Sequence, residues 1–296
     1  MKLSKVSRSF YLICFIIILL GIFFRFTNIA EKVYWHDEIF TSLHITGFLS
    51  SEWKPQLFTG KIIEPDKLQY YLQINPNKNL VDTLNVLAVE DPHHPPFYYI
   101  LLRYWRQLFG DSITVIRSFS SVFSLLILPA IYWLCWELFK QPIVAWVSIS
   151  LISISPFYVL YSQEAREYAL WTVLICLSSA ALLRCIKLTQ YQKLKVSKYY
   201  VNWGLYSILT TLSLYTSLFS LFVIIAQVSY TLVLEKLRLT KVVFFQSISL
   251  MISVVLFLPW IIVFINNYEQ YKKITSWTKE FVVPALDLLK IWGLNI

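Results

Sequence analysis

Long apolar runs are the feature that most constrains how this chain can fold. A helix needs about 20 mostly apolar residues to cross the roughly 30 Å hydrocarbon core of a membrane. Because 57% of the 296 residues are hydrophobic and only 15% are charged, too few polar side chains exist to cover a soluble globule. We therefore expect an all-α, multi-pass transmembrane bundle forming a single domain over 1–296. Its seven candidate spans are 10–26, 113–139, 143–161, 168–186, 201–216, 218–234 and 242–265.

The composition also excludes several classes of function. The chain has only six glycines and contains no glycine-rich phosphate-binding motif, so a cytosolic nucleotide-binding enzyme is excluded. The net charge of +9 is spread over short loops, which does not indicate a nucleic-acid partner. None of the four cysteines forms a Cys-x-x-Cys pair, and we expect neither a disulfide framework nor a cysteine zinc site.

The basic residues predict the direction in which the chain crosses the membrane. If the N-terminus is cytoplasmic and the first run is a retained signal anchor, twelve Lys and Arg but only two acids face inward. The first outer loop, 28–112, has ten acids and seven bases. The positive-inside rule thus predicts a cytoplasmic N-terminus. We expect the chain to lie in the plasma membrane with its active face outside the cytoplasm. The inner segments are 1–9, 137–142, 184–200 and 235–241.

The segment 96–109 is apolar and aromatic but too short to span a membrane, and it contains Arg103 and Arg106. If it crossed, the lysine-rich loop 184–200 would face outward. We therefore expect an amphipathic helix lying in the interface, with its Tyr and Trp side chains at headgroup level. In the rest of the first outer loop, Pro-containing turn signals predict short helices joined by turns. After the last span, 272–296 would lie outside, with Trp277 and Trp292 at the interface.

Polar and ionisable side chains collect at the outer face of this predicted topology. Within the first of four clusters, the carboxylates of Asp37 and Glu38 follow Trp35 close to the first span. A carboxylate there suits a general base that takes a proton from a hydroxyl. The alternative is a solvated carboxylate pair without a catalytic role. The clusters are 35–38, 90–96, 163–168 and 215–217.

In the second cluster, His93 and His94 precede two prolines. Adjacent side chains of an extended segment point to opposite sides, so we expect that the two imidazoles do not readily bind one metal together. One of them can hold a phosphate oxygen, or share a divalent metal with Asp91 or Asp37. The alternative is a cap at the start of the interfacial helix.

In the third cluster, Arg166 stands between Glu164 and Glu167, at the edge of the membrane. Ionisable residues at such a depth are functional candidates, and a guanidinium binds phosphate in a bidentate manner. A lipid phosphate of the outer leaflet is the natural anionic ligand for Arg166 at this height. Membrane lipids are also expected to surround the chain. The alternative is a self-neutralising, salt-bridged turn.

In their order along the chain, these clusters resemble the motifs of the polytopic GT-C glycosyltransferases. The resemblance is to bacterial relatives of the protein O-mannosyltransferases and lipid A aminoarabinose transferases, and it covers roughly 10–265. The motifs are Asp37-Glu38, the His-Pro-Pro-Phe-Tyr-Tyr sequence at 94–99, Phe109-Gly110, Arg117, Ser155-Pro156, the Tyr-Ser-Gln-Glu-Ala-Arg-Glu-Tyr-Ala sequence at 161–169, and Leu-Tyr-Thr at 214–216.

The resemblance implies an enzyme that moves a sugar from a polyprenyl-phosphate carrier to a lipid, glycan or protein acceptor outside the cytoplasm. It implies that Asp37 is the catalytic carboxylate and that Glu38 helps to shape the site or hold a metal. It further implies that Arg166, Gln163 and His94 contact the donor phosphate. A divalent metal cofactor, with ligands drawn from Asp37, Asp91, His93 and His94, is left open.

Two departures from the family pattern keep alternatives open. Ser217 stands where many relatives have a histidine after the Tyr-Thr pair, and relatives continue through further spans after the equivalent of Ile296. A non-catalytic or partner-dependent truncated homologue is therefore one alternative. A lipid or sugar transporter is another, supported by kinks at Pro129, Pro156 and Pro259.

Overall fold

The computed structural model describes residues 8–191 and 196–276, which are helical with no strand among them. The expectations for Trp277 and Trp292, and for parts 1–7 and 192–195 of the predicted inner segments, lie outside the described residues. The first half contains α1 (Arg8–Phe26), α2 (His36–Thr46), α3 (Ser50–Leu57), α4 (Pro65–Leu72), α5 (Leu80–Glu90), α6 (Phe97–Phe109), α7 (Ile113–Ser124) and α8 (Ile127–Phe139). The second half contains α9 (Pro142–Ile154), α10 (Pro156–Ser162), α11 (Tyr168–Tyr191), α12 (Val196–Thr216), α13 (Ser220–Leu234), α14 (Lys241–Asn266) and α15 (Tyr268–Ile274).

Helices occupy all seven predicted runs, which confirms the multi-pass helical class. By length and composition, four segments of the described chain can cross a membrane, and α9 with α10 makes a fifth if that bent pair is one span. The helix α13 is apolar but has only 15 residues, fewer than the roughly 20 that a straight crossing needs. The four segments are Arg8–Phe26, Ile113–Phe139, Tyr168–Gln190 and Lys241–Asn266.

The bend between α9 and α10 follows from Pro156, which has no N–H to donate to the carbonyl of Ile152. The two helices meet at 60°. The buried guanidinium of Arg25 donates to the carbonyls of Ser153 (2.7 Å) and Ile152 (3.5 Å). At Gly21, one turn earlier on α1, a Cβ would lie only 2.3 Å from the Ser153 carbonyl oxygen. The absence of a side chain thus lets α1 pack directly against the bend.

The central helix of the bundle is α11, which packs against α8 on one side and α12 on the other. One buried hydrophobic cluster joins Leu174 of α11 and Phe257 of α14 with Ile45 of α2, Leu87 of α5 and Tyr98 of α6. Because this core is continuous, α2, α5 and α6 of the first loop form a cap that packs on the bundle. That cap positions the polar residues described below.

The segment predicted as an interfacial helix forms α6, but its two arginines are buried. Arg103 donates to Thr83 (2.8 Å) and to the carbonyl of Ile45, and Arg106 donates to Asp111 (2.7 Å). Tyr98 and Tyr99, which are expected at headgroup level, are fully buried inside the protein. The reason is that α2 and α5 of the first loop pack on α6 and cover this surface.

Candidate functional site

The two adjacent carboxylates at the start of α2 lie in different environments. Successive residues of a helix point about 100° apart, so Asp37 is directed away from the surroundings of Glu38. Glu38 is fully buried and accepts hydrogen bonds from Arg117 (2.7 and 2.9 Å) and from the backbone N–H of Ala165 (2.9 Å). The side chain of Asp37 is 34% exposed, and its one ion-pair contact is His36, at 3.3 Å. Only Asp37 is therefore available to a substrate.

Arg117 also binds the segment that leads from α1 to α2. Its guanidinium donates to the carbonyls of Ile29 (2.8 Å), Lys32 (2.9 Å) and Val33 (2.9 Å). These bonds satisfy backbone oxygens that no helix uses. The ion pair with Glu38 thus fixes the position of α2, and with it the carboxylate of Asp37.

A cavity of about 540 Å³ lies beside Asp37 at this end of the molecule. It brings together five of the predicted site residues, and neither Glu38 nor Gln163 lines it. Its walls are His36, Asp37, Phe40, His44, Ser50, Trp53, Lys54, Glu90, Asp91, His93, His94, Arg166, Gln270, Ile274 and Thr275.

The expectation that His93 and His94 point apart is wrong. Their ring centroids are 4.3 Å apart, with His93 Nδ1 at 2.6 Å and His94 Nε2 at 3.9 Å from oxygens of Asp91. The reason is that the segment is a turn, closed by a hydrogen bond from the His94 N–H to the Asp91 carbonyl (3.1 Å), instead of an extended strand. Helix α6 begins after Pro96 without a side-chain cap, so these residues do not cap it.

Asp91, His93 and His94 suit a divalent cation such as zinc. One ligand atom from each lies within 4.8 Å of the others, and one carboxylate with two imidazoles is a common zinc ligand set. Burial alone would raise the pKa of Asp91, but the hydrogen bond from His93 and the charge of His94 hold it well below its usual range. The carboxylate is thus ionised. Asp37 lines the same cavity but is not part of this group.

A second charged group adjoins the first. The Glu167 carboxylate lies 3.4 Å from Arg166 and 3.4 Å from His94. Burial opposes ionisation of Glu167, yet the charges of Arg166 and His94 lower its pKa to about 2. For His94, burial lowers the pKa, but Glu167 and Asp91 raise it overall. Glu164 pairs with Lys32 (3.8 Å), so the turn is not simply self-neutralised by its two acids.

The guanidinium of Arg166 is held on three sides and open on the cavity side. It donates to Thr41 (3.3 Å), pairs with Glu167, and lies over the ring of Tyr168 at 5.5 Å from its centroid. Its side chain is 7% exposed. His94 lies near two carboxylates, Glu167 and Asp91, whereas Arg166 pairs with Glu167 and presents its guanidinium to the cavity.

Gln163 does not lie with the other predicted phosphate ligands. Its side-chain amide donates to the carbonyls of Phe24 (2.7 Å) and Thr27 (3.0 Å) at the end of α1. The fourth outer cluster is also outside the cavity wall. There, Tyr215 donates to the Leu256 carbonyl (2.9 Å).

Sequence reasoning missed His44, which lines the cavity, is buried, and lies 3.8 Å from Asp91. Burial lowers the pKa of His44 to about 4, so this imidazole is neutral. Its spacing of seven residues from Asp37 places both on one face of a helix, and that period could have found it. No sequence pattern pointed to α15, whose residues Gln270 and Ile274 form part of the cavity wall.

One of three comparisons with known proteins gives a match. The family model of dolichyl-phosphate-mannose-protein mannosyltransferases matches residues 93–263, which include His94, Arg117 and Arg166 but not Asp37. Neither the curated proteins nor the solved structures give a match. Because the matched segment is more than half of the 296 residues, the chain belongs to the dolichyl-phosphate-mannose-protein mannosyltransferase family, a family of membrane glycosyltransferases.

Proposed function

We propose that this chain transfers a sugar from a polyprenyl-phosphate carrier to a hydroxyl of a lipid, glycan or protein acceptor. The reaction would take place at the extracytoplasmic face of the plasma membrane. The observation that carries the proposal is that an available carboxylate, Asp37, opens into the same cavity as the cationic group of Arg166 and His94. A base for the acceptor and positive charge for a phosphate are the two requirements of such a transfer.

In the proposed reaction, Asp37 takes the proton of the acceptor hydroxyl. The acceptor oxygen then forms a bond to C1 of the sugar while the bond from C1 to the phosphate oxygen breaks. The polyprenyl phosphate leaves with that electron pair. Asp37 suits the first step because its side chain is 34% exposed and, among the described residues, it forms no ion pair with an Arg or Lys.

Arg166 and His94 suit the second step, in which the polyprenyl phosphate leaves. Negative charge grows on the phosphate as it leaves, and fixed donors in a partly dry site stabilise such charge without reorganisation. Arg166 is held by Thr41, Glu167 and the ring of Tyr168, so its guanidinium is oriented before the donor binds. Glu167 and Asp91 raise the pKa of His94 against the effect of burial, which favours its cationic form beside Arg166.

Asp91, His93 and His94 would hold a divalent metal if one is required. A bound metal would supply Lewis-acid charge for a phosphate oxygen. Without it, the ionised Asp91 orients both imidazoles toward the cavity. In the metal-bound form His94 is a neutral ligand, so the protonated and metal-bound forms exclude each other.

The distribution of buried charge favours an enzyme over a transporter. In the described spans, the buried charged residues Arg25, Arg117 and Glu137 each lie close to an end of the helical segment. A transporter site would place such groups near the middle of the membrane. The helix α14 runs through Pro259 without a break, and the 60° bend at Pro156 is held by Arg25.

The experiment is donor consumption by membranes that contain the chain, with a radiolabelled polyprenyl-phosphate sugar pool. We expect Asp37→Asn to lower consumption by about 100-fold or more, as for loss of a general base. Asp66→Asn is the matched control, because Asp66 is an exposed carboxylate of α4 and does not line the cavity. Equal consumption by the wild type and Asp37→Asn would place the base elsewhere. No consumption by the wild type would favour the non-catalytic or partner-dependent alternative.

A further inference from the structure

A compact basic cluster lies at the opposite end of the bundle from the cavity. The buried carboxylate of Glu137, at the end of α8, is within 2.9 Å of Lys140, 3.5 Å of Arg184 and 3.5 Å of Lys187. Lys187 also donates to the backbone carbonyl of Glu137. The positive-inside distribution predicts that this end faces the cytoplasm.

The cluster is not neutral. Three cations share one carboxylate, so two positive charges remain uncompensated within it. The side chains of Lys140 and Arg184 are 49% and 48% exposed, whereas that of Glu137 is 3% exposed. The buried Glu137 carboxylate therefore holds the cations from the protein side, and the exposed parts of Lys140 and Arg184 face outward.

An aromatic groove adjoins the cluster on the surface of α8. It has a volume of about 180 Å³ and is lined by Tyr132, Trp133 and Trp136. Lys140 connects the two features, because its ammonium lies 5.5 Å from the centroid of the Trp136 ring while it also pairs with Glu137. Residues four apart lie one above the other on a helix, so Tyr132 and Trp136 share one face of α8. Lys140, just past the end of the helix, folds its ammonium back toward the Trp136 ring.

We propose that this groove and cluster bind one anionic glycerophospholipid of the cytoplasmic leaflet. Its phosphate would lie between Lys140, Arg184 and Lys187, and the upper part of an acyl chain would lie against the three aromatic rings. Basic pockets between helices on the cytoplasmic side suit anionic headgroups, and Trp and Tyr are favoured at that depth. A soluble anion would use only the positive charge of the cluster, whereas a lipid also fills the apolar groove, so the site favours a lipid. The site is separate from the proposed reaction and does not depend on it.

The test is native mass spectrometry of the purified full-length chain, titrated with phosphatidylglycerol and, in parallel, with phosphatidylcholine. We expect phosphatidylglycerol to bind more tightly, and Lys140→Gln with Arg184→Gln to weaken it by about five-fold for each base removed. The control is Lys236→Gln with Arg238→Gln, which removes two exposed bases from the same predicted face, after α13. The control should bind phosphatidylglycerol as the wild type does.

A second variant keeps every charge and so does not disturb the buried Glu137. Trp136→Leu removes the ring that carries Lys140 and one wall of the groove. We expect it to weaken phosphatidylglycerol binding several-fold. Equal binding of the two lipids, equal losses in the two double variants, or unchanged binding by Trp136→Leu would each overturn the proposal.

Discussion

The carboxylate of Glu38 and the guanidinium of Arg117 form a buried ion pair, with oxygen–nitrogen distances of 2.7 and 2.9 Å. The same carboxylate accepts the backbone N–H of Ala165, next to Arg166. One ion pair thus connects the start of α2, the start of α7 and the turn before α11. Through it, Asp37 and Arg166 are held at one cavity although they are distant in sequence.

Removing one partner of this ion pair should lower the free energy of unfolding more than replacing both partners. Arg117→Met leaves the Glu38 carboxylate buried without its cation, which we expect to cost about 3–5 kcal/mol of unfolding free energy. Adding Glu38→Gln should recover part of that loss, because a neutral amide oxygen can still accept from Ala165. Thermal unfolding of the purified proteins measures both effects. A double variant less stable than Arg117→Met would contradict this account.

Arg166 and Gln163 should respond differently to substitution. Arg166→Lys keeps the charge but loses the planar guanidinium, and we expect donor consumption to fall by about 100-fold. Gln163→Leu removes hydrogen bonds to the end of α1, so it should lower stability by about 1–2 kcal/mol with donor KM unchanged. The measurements are donor-dependent rates and unfolding midpoints. A raised donor KM for Gln163→Leu would mean that this side chain reaches the donor.

Zinc should stabilise the protein through Asp91, His93 and His94. At a free concentration of one hundred times Kd, a ligand specific to the folded state adds about 2.7 kcal/mol of unfolding free energy. We expect a rise in the unfolding midpoint on adding zinc after chelation, and its loss in His93→Ala. His36→Ala is the control, since His36 lines the same cavity outside the metal-binding group. Equal shifts in the two variants would place the metal elsewhere.

Gly21 should not tolerate a methyl group. In Gly21→Ala the added Cβ would lie 2.3 Å from the Ser153 carbonyl oxygen, which would push α1 away from the bend at Pro156. We expect a loss of about 1–3 kcal/mol, as for other overpacked positions. Gly204→Ala is the matched control in α12, where a Cβ would meet no atom within 4 Å. Comparable unfolding midpoints for the two variants would show that α1 can shift without penalty.

Glu167 should make stability depend on pH in the acid range. Its pKa is lowered from 4.5 to about 2 in the folded protein, chiefly by Arg166 and His94 acting against burial. Between these values the unfolded chain takes up a proton that the folded protein does not, so stability falls as the pH decreases. The contribution is of the order of 3 kcal/mol.

Unfolding midpoints measured from pH 6 to pH 3 test this dependence. The slope should be shallower in Glu167→Gln than in the wild type. Glu269→Gln, at a carboxylate whose side chain is 86% exposed, should keep the wild-type slope. If Glu167→Gln also retained that slope, the acid sensitivity would have to come from another carboxylate.

The class of fold could be predicted from the sequence because it depends on local properties. Apolar runs, Pro-containing turns and the scarcity of charge are readable residue by residue, and they gave the multi-pass helical class and the short helix α6. The outer clusters could be found in the same way, because ionisable groups beside apolar runs stand out whatever the rest of the chain does.

The tertiary structure decided which members of those clusters meet. Asp37 faces the cavity and Glu38 does not, because Arg117, far along the chain, binds Glu38. His93 and His94 lie side by side because their segment turns, and Trp260 of α14 donates to the Pro92 carbonyl (3.1 Å) within it. Such contacts join residues that are remote in sequence. The sequence by itself therefore determined the membrane class and the candidate groups, and only long-range packing selected the residues that share the cavity.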